Sequence, residues 1–159
     1  MKRTILLMAV AVAVLAVVVG AALATTPKGV TPTPLTRATL GNFEAENNGI
    51  EVESQHTSAD FALAKVVIEP GGTTGWHHHP GVVLVSVASG TVTEYHEDCQ
   101  PTVIQAGEGF VESQGHVHFV RNEGKDPAVL YVTFLVPTTT PPTGLTIPDP
   151  QPKDCSNVK

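Results

Sequence analysis

Between residues 61 and 136 the chain is a succession of short apolar or alternating runs, each closed by Gly, Pro, Asn or Asp. No run there is long enough for a dependable helix, whereas strands need only four to eight residues. Strand signals fall at 61–69, 82–88, 91–95, 102–104, 109–112, 117–121 and 128–136, with Pro70-Gly71-Gly72 and Ser89-Gly90 among the turns between them. Valine, threonine and glycine are plentiful and aromatic residues make up only 5%. That balance favours strands and turns over helices. Many short strands with turns between them predict an all-β sandwich or closed barrel. Asn47-Asn48-Gly49 predicts a further turn, with edge strands or a clasp in residues 38–60.

The two ends differ from this core. Lys2 and Arg3 precede an uncharged Ala/Val/Leu-rich run from Ile5 to Ala24 that ends Ala22-Leu23-Ala24. A positive start, an apolar middle and small residues at the end describe a cleavable signal peptide, with cleavage after Ala24. Residues 5–24 also approach the ~20 residues that span a bilayer, so an uncleaved anchor is the alternative and the only membrane contact expected. Either form sends the rest of the chain across the membrane, giving an extracytoplasmic protein, secreted or anchored. Residues 25–37 are rich in threonine and proline and read as an extended linker. Residues 38–136 form the barrel domain, and residues 137–159, again Pro/Thr-rich, are a tail that wraps the barrel or dangles. At 159 residues there is material for one core. A formal charge of −6 without a basic stripe argues against nucleic-acid partners. In an oxidising compartment Cys99 and Cys155 are expected to pair, two free thiols being the alternative.

Chemistry is concentrated in Gly75-Trp76-His77-His78-His79-Pro80 and Gly115-His116-Val117-His118. On an extended backbone His77 and His79 share one face and His78 takes the other. A regular strand would likewise put His116 and His118 together. Neutral imidazoles suit zinc, iron, copper or nickel, and fit calcium or magnesium poorly. Val83, Val85 and Val87 continue the face as an apolar wall. A histidine run standing alone is more often a solvated loop; what lifts this one above that reading is the spacing of the residues around it. His56 and His96 are expected at the surface and Trp76 as a packing residue, while Glu94 and Tyr95 fit a pocket or a solvated face equally well.

That spacing resembles the cupin superfamily, whose first motif is G-x5-H-x-H, three or four residues, then E-x6-G. Gly71, His77, His79 and Gly90 match it, with Val83 where the family has glutamate. The second motif, G-x5-P-x-G-x2-H-x3-N, is matched by Gly107, Gly115, His118 and Asn122, with Ser113 where the family has proline. The resemblance covers roughly residues 60–136. It implies a jelly-roll barrel, the double-stranded β-helix, with both motifs delivering histidines inward at one open end. It implies His77, His79 and His118 as ligands of a divalent transition metal (iron, manganese, nickel, copper or zinc), and it leaves the carboxylate position empty at Val83. Glu112 and His116 are the nearest candidates to fill that gap or to orient the ligands, and with Glu94 they are the only nearby groups able to transfer a proton. The family includes dioxygenases, decarboxylases and isomerases acting on small molecules, so metal-dependent catalysis is one expectation. A noncatalytic module that captures a metal or small ligand at the cell surface is the other. The family is also often dimeric. Because imidazoles must be neutral to coordinate, metal uptake is expected to weaken below their reference pKa of ~6.5.

Overall fold

The computed structural model describes residues 24–55 and 57–158. All but the last residue of the expected export segment, and His56, lie outside them. Among the described residues no helix is long and apolar enough to cross a membrane.

The described residues form twelve strands: β1 (Lys28–Leu40), β2 (Glu44–Asn47), β3 (Ile50–Glu53), β4 (Ala59–Thr73), β5 (His77–His78), β6 (Val82–Ser89), β7 (Thr91–His96), β8 (Pro101–Gln105), β9 (Gly109–Glu112), β10 (His118–Arg121), β11 (Ala128–Pro137) and β12 (Ile147–Pro148). Ten belong to one sheet, ordered β12-β5-β10-β4-β11-β6-β9, with β1 on β4, β7 on β10 and β8 on β7. The sheet curls into a nearly closed barrel, the double-stranded β-helix. Only β2 and β3 stand apart, as a hairpin turning at Asn48-Gly49 with both residues at positive φ. Asn-Gly is the pair that a two-residue hairpin turn of this kind selects.

Period-two alternation sets what faces inward. Along β6, Val83, Val85 and Val87 are buried while Val82, Leu84 and Ser86 are exposed. On β11, Ala128, Leu130, Val132, Phe134 and Val136 are buried in the same way. These side chains, with Ala62, Ile68, Val92, Ile104 and Val120, form the main core. A smaller cluster joins Trp76, Phe119 and Cys155, with the Trp76 and Phe119 rings 4.6 Å apart. Trp76 is therefore a packing residue, as expected.

Two expectations are corrected. Pro70-Gly71-Gly72 does not end β4. Gly71 takes a φ of +71°, which glycine adopts at little cost, and the strand bends there without stopping. Its last residue, Thr73, pairs with Arg121 of β10. The Thr/Pro-rich segment expected as a linker is instead strand β1, in antiparallel register with β4 from Lys28↔Thr73 to Leu40↔Ala59. Proline is tolerated on an edge strand where its missing N–H faces away from the ladder, and Pro32 and Pro34, two residues apart, keep that phase. Arg37 fastens β1 further, donating from Nε to Asp60 (2.7 Å) and from Nη2 to the Thr140 carbonyl (2.6 Å).

The tail wraps. After a 3-10 turn at Pro142–Gly144, β12 pairs with β5 (Ile147↔His78 and Pro148↔His77). Asp149 donates its N–H to the Trp76 carbonyl and accepts from Thr25 N. A Cys99–Cys155 disulfide then ties the end of the chain to the loop between β7 and β8. The fold thus draws in residues on both sides of 38–136.

Motif residues outside the histidines have structural work. Gly90 sits at φ +78°, and a Cβ there would lie 2.8 Å from Ala128 Cα. Asn122 is fully buried; its Nδ2 donates to the Ile68 and Asp126 carbonyls (2.8 Å each) and its Oδ1 accepts from Gly124 N. Asn122→Ala strips a partner from the buried Ile68 carbonyl and two more from the Gly124–Asp126 turn, and is expected to lower stability by about 2–4 kcal/mol, measured by urea unfolding.

Candidate metal centre

The first motif reaches the barrel interior on β5 and the two residues after it, and the second on the first residue of β10. His118 is the direct cross-strand partner of His77, so pairing alone brings the motifs together. His77, His79 and His118 are all buried, with ring centroids 4.4 to 5.3 Å apart and ligand nitrogens within 4.8 Å of one another.

Each ring is oriented by the backbone. Nδ1 of His77 meets the Gly75 carbonyl at 2.8 Å, Nδ1 of His79 the Leu145 carbonyl at 2.6 Å, and Nδ1 of His118 the His116 carbonyl at 2.9 Å. A carbonyl only accepts, so each Nδ1 carries the proton and each Nε2 is left with its lone pair. Two of these nitrogens converge on Glu112: His118 Nε2 lies 2.9 Å from Oε1 and His79 Nε2 3.1 Å from Oε2. Lone pairs facing a carboxylate at such distances repel, unless a cation lies among them or the rings take up second protons. His118 Nε2 is buried and, despite the short distance, satisfies no hydrogen-bond geometry. Three imidazole nitrogens and a carboxylate around one point suit a divalent transition metal.

Protonation follows the same crowding. Burial pulls the His77 imidazole down to about 3, with the neighbouring His118 and His79 acting in the same direction. For Glu112, burial raises the carboxyl, but His118 and His79 in their doubly protonated forms, close enough to donate to it and positively charged, outweigh that and bring it to about 2. His118 shows the reciprocal balance: burial opposes its charged form, and Glu112 more than compensates, so its pKa is raised.

Glu112 comes from the strand beside the family's carboxylate position. In the β6–β9 ladder Val83 pairs directly with Glu112. Both are buried and face inward, so the carboxylate missing at Val83 is present one strand over.

His116 does not join the site. Residues 113–117 form a turn around Gly115 at φ +75° before β10 begins, which breaks the alternation that would have aligned it with His118. Its side chain is exposed and only its carbonyl reaches the site. His78 turns the other way and pairs with Asp149 of the tail. Sequence reasoning left Glu94 undecided. It is buried, with Oε1 unpartnered and Oε2 3.4 Å from His96 Nε2, and its ligand atoms lie within 4.8 Å of those of Glu112 and His118. Burial pushes its carboxyl up, and Glu112 adds to this against the pull of His96. The alternation 92, 94 inward on β7 is broken by buried Thr93, so periodicity gave no clear sign of it.

In front of His77, His79 and Glu112 lies a cavity of about 700 Å³ between the two walls of the barrel.

A small β-barrel with an inward cluster of three histidines at one end defines the class. The cupin-domain family model matches residues 64–134, and that segment of the chain is a cupin domain. Germin-like protein 5-1 of Oryza sativa subsp. japonica is 39% identical over 80 residues, which are 46% of this chain and 35% of that protein. A recombinant oxalate oxidase solved in complex with glycolate is 28% identical, covering 69% of this chain and 52% of that one, with a TM-score of 0.48. The cupin domain of Schizosaccharomyces pombe Cnp3 shares the fold at 14% identity, covering 73% of this chain and 70% of that one, with a TM-score of 0.51. The chain spans about a third of the germin-like protein and about half of the oxalate oxidase chain.

Proposed function

We propose that this is an exported cupin that holds one divalent transition metal through His77, His79, His118 and Glu112 and uses it in chemistry on a small molecule. What carries the reading is that three Nδ1–H groups are spent on backbone carbonyls while the free nitrogens gather around one buried carboxylate. The export segment in residues 1–24 and the Cys99–Cys155 bridge support an extracytoplasmic location.

A bound ion of this kind supplies Lewis-acid polarisation or, if redox-active, electron transfer. The protein's part is to fix the ligand tautomers, to neutralise charge with Glu112, and to keep the approach dry behind Val85, Val132 and Phe134. Oxygen-dependent, decarboxylating and isomerising reactions all fit such a site. Against catalysis stands one observation: apart from Arg37, the cavity wall carries no titratable group beyond His77, His79 and Glu112. That favours the second reading, a noncatalytic module that captures a metal or a small ligand.

Elemental analysis of residues 25–159, purified without a His tag, tests the common part. Near-stoichiometric iron, manganese, nickel, copper or zinc is expected in the wild type, falling below a tenth of that in the His77→Ala/His79→Ala/His118→Ala variant and in His118→Gln, with circular dichroism confirming the fold of each. Metal content unchanged by these substitutions would refute the assignment.

A further inference from the structure

The cavity identifies the class of molecule that the metal position would serve. Its wall is built from residues of seven strands, among them Val66, Val85, Phe110, Leu130, Val132 and Phe134, and is joined by Leu145 of the tail. A volume of about 700 Å³ is that of a site for a drug-sized ligand, far more than a two- or three-carbon acid fills. Polar groups are confined to a few places. His77, His79 and Glu112 stand together, and a few threonines line the wall; Thr74 spends its hydroxyl on the Gly75 and Val120 backbone. Arg37 is the only cation among the lining residues; its Nε and Nη2 are committed to Asp60 and the Thr140 carbonyl, while its buried Nη1 has no partner.

Such a wall discriminates by what it cannot satisfy. A sugar or a dicarboxylic acid would bring several polar groups into a space whose free side-chain donors are few, Arg37 Nη1 and the hydroxyls of Thr36, Thr143 and Thr146, and each polar group left buried and unpaired costs on the order of 1–3 kcal/mol. An aliphatic or aromatic body loses nothing there. Small residues on β4 help make the room, since Ala62 and Ala64 face the cavity where its neighbours carry larger side chains.

We propose that the ligand or substrate is a predominantly apolar organic molecule with a single oxygen-donor group at one end, that end directed to His77, His79 and Glu112 and the rest lying along the valine, leucine and phenylalanine wall. The assignment rests on the metal reading above for the polar end and on the cavity alone for the apolar end. Selectivity therefore comes mainly from chain length or ring size.

Acetate and octanoate separate the two parts, because they share a carboxylate and differ by six methylenes. Calorimetric titration of each into the zinc-loaded and the metal-free protein is the experiment, with zinc content checked before and after. Each buried methylene strengthens binding about fourfold, so octanoate is expected to bind at least about 100-fold more tightly than acetate to the zinc-loaded form. Ala64→Phe, which fills the cavity, is expected to abolish most of that preference. Zinc uptake with equal affinity for acetate and octanoate would overturn the apolar assignment and leave the metal reading standing. Failure to take up zinc, with octanoate still preferred over acetate, would overturn the metal reading and uphold the apolar cavity. A folded Ala64→Phe protein that kept the full preference would place octanoate elsewhere and overturn the inference.

Discussion

Glu112→Val is expected to lower affinity for a divalent metal by about 100-fold or more, and adding Val83→Glu to that variant is expected to recover most of the loss. The first effect follows from removing the carboxylate that faces both His79 and His118, at 3.1 and 2.9 Å; even losing a group that merely orients a ligand costs 10- to 100-fold. The second follows from the register, in which residues 83 and 112 are direct partners on β6 and β9 and both face the interior. Exchanging them moves the carboxylate one strand and keeps the total buried charge. Val83→Glu alone is a different experiment. It places a second carboxylate beside Glu112 in a buried site, and weaker folding in the metal-free state is the expected result. Competition with a chromophoric chelator measures the affinities. A double variant no better than Glu112→Val would mean that the two positions are not equivalent.

Replacing both Cys99 and Cys155 by serine is expected to cost about 4 kcal/mol of stability, from the chain-entropy value for a loop of this size, and on the order of 10 °C in Tm. Stability is only part of the prediction. The bridge anchors the segment that lays β12 against β5 and brings the Leu145 carbonyl to His79 Nδ1. The oxidised wild type should therefore hold metal more tightly than the serine variant under conditions where both are folded. Thermal unfolding with and without added zinc checks both effects. A Tm change of a degree or two would show that the tail docks without the bridge.

Much of the barrel is legible in the sequence because its strands are short and bounded by residues with few other uses. The seven runs expected between residues 61 and 136 correspond to β4 and β6 through β11. Histidine pairing is legible for the same reason: two residues apart on an extended backbone allow one shared face. What could not be read required partners distant in sequence. The prolines of β1 mask the strand preference of its threonines, and the segment is ordered by the free edge of β4. His116 fell out of the site because a turn at Gly115 interrupts the alternation. Glu112 stood out only by its nearness in sequence, because its proximity to the Val83 position depends on the β6–β9 register, which no local pattern sets. Glu94 was ambiguous until β7 was seen to bury three consecutive residues.

The tail has a further consequence for how the centre comes into being. Every ligand nitrogen and the carboxylate belong to residues 77 to 118, yet the carbonyl that orients His79 belongs to residue 145 and the covalent tie that anchors its segment to residue 155. During synthesis from the N-terminus, the ligands emerge well before the group that aligns one of them. A nascent chain ending at residue 136 would own the complete ligand set and still lack a finished centre. Maturation of the proposed site is thus expected to depend on docking and closure of the tail, and products truncated before it are expected to hold metal weakly without losing a single proposed ligand.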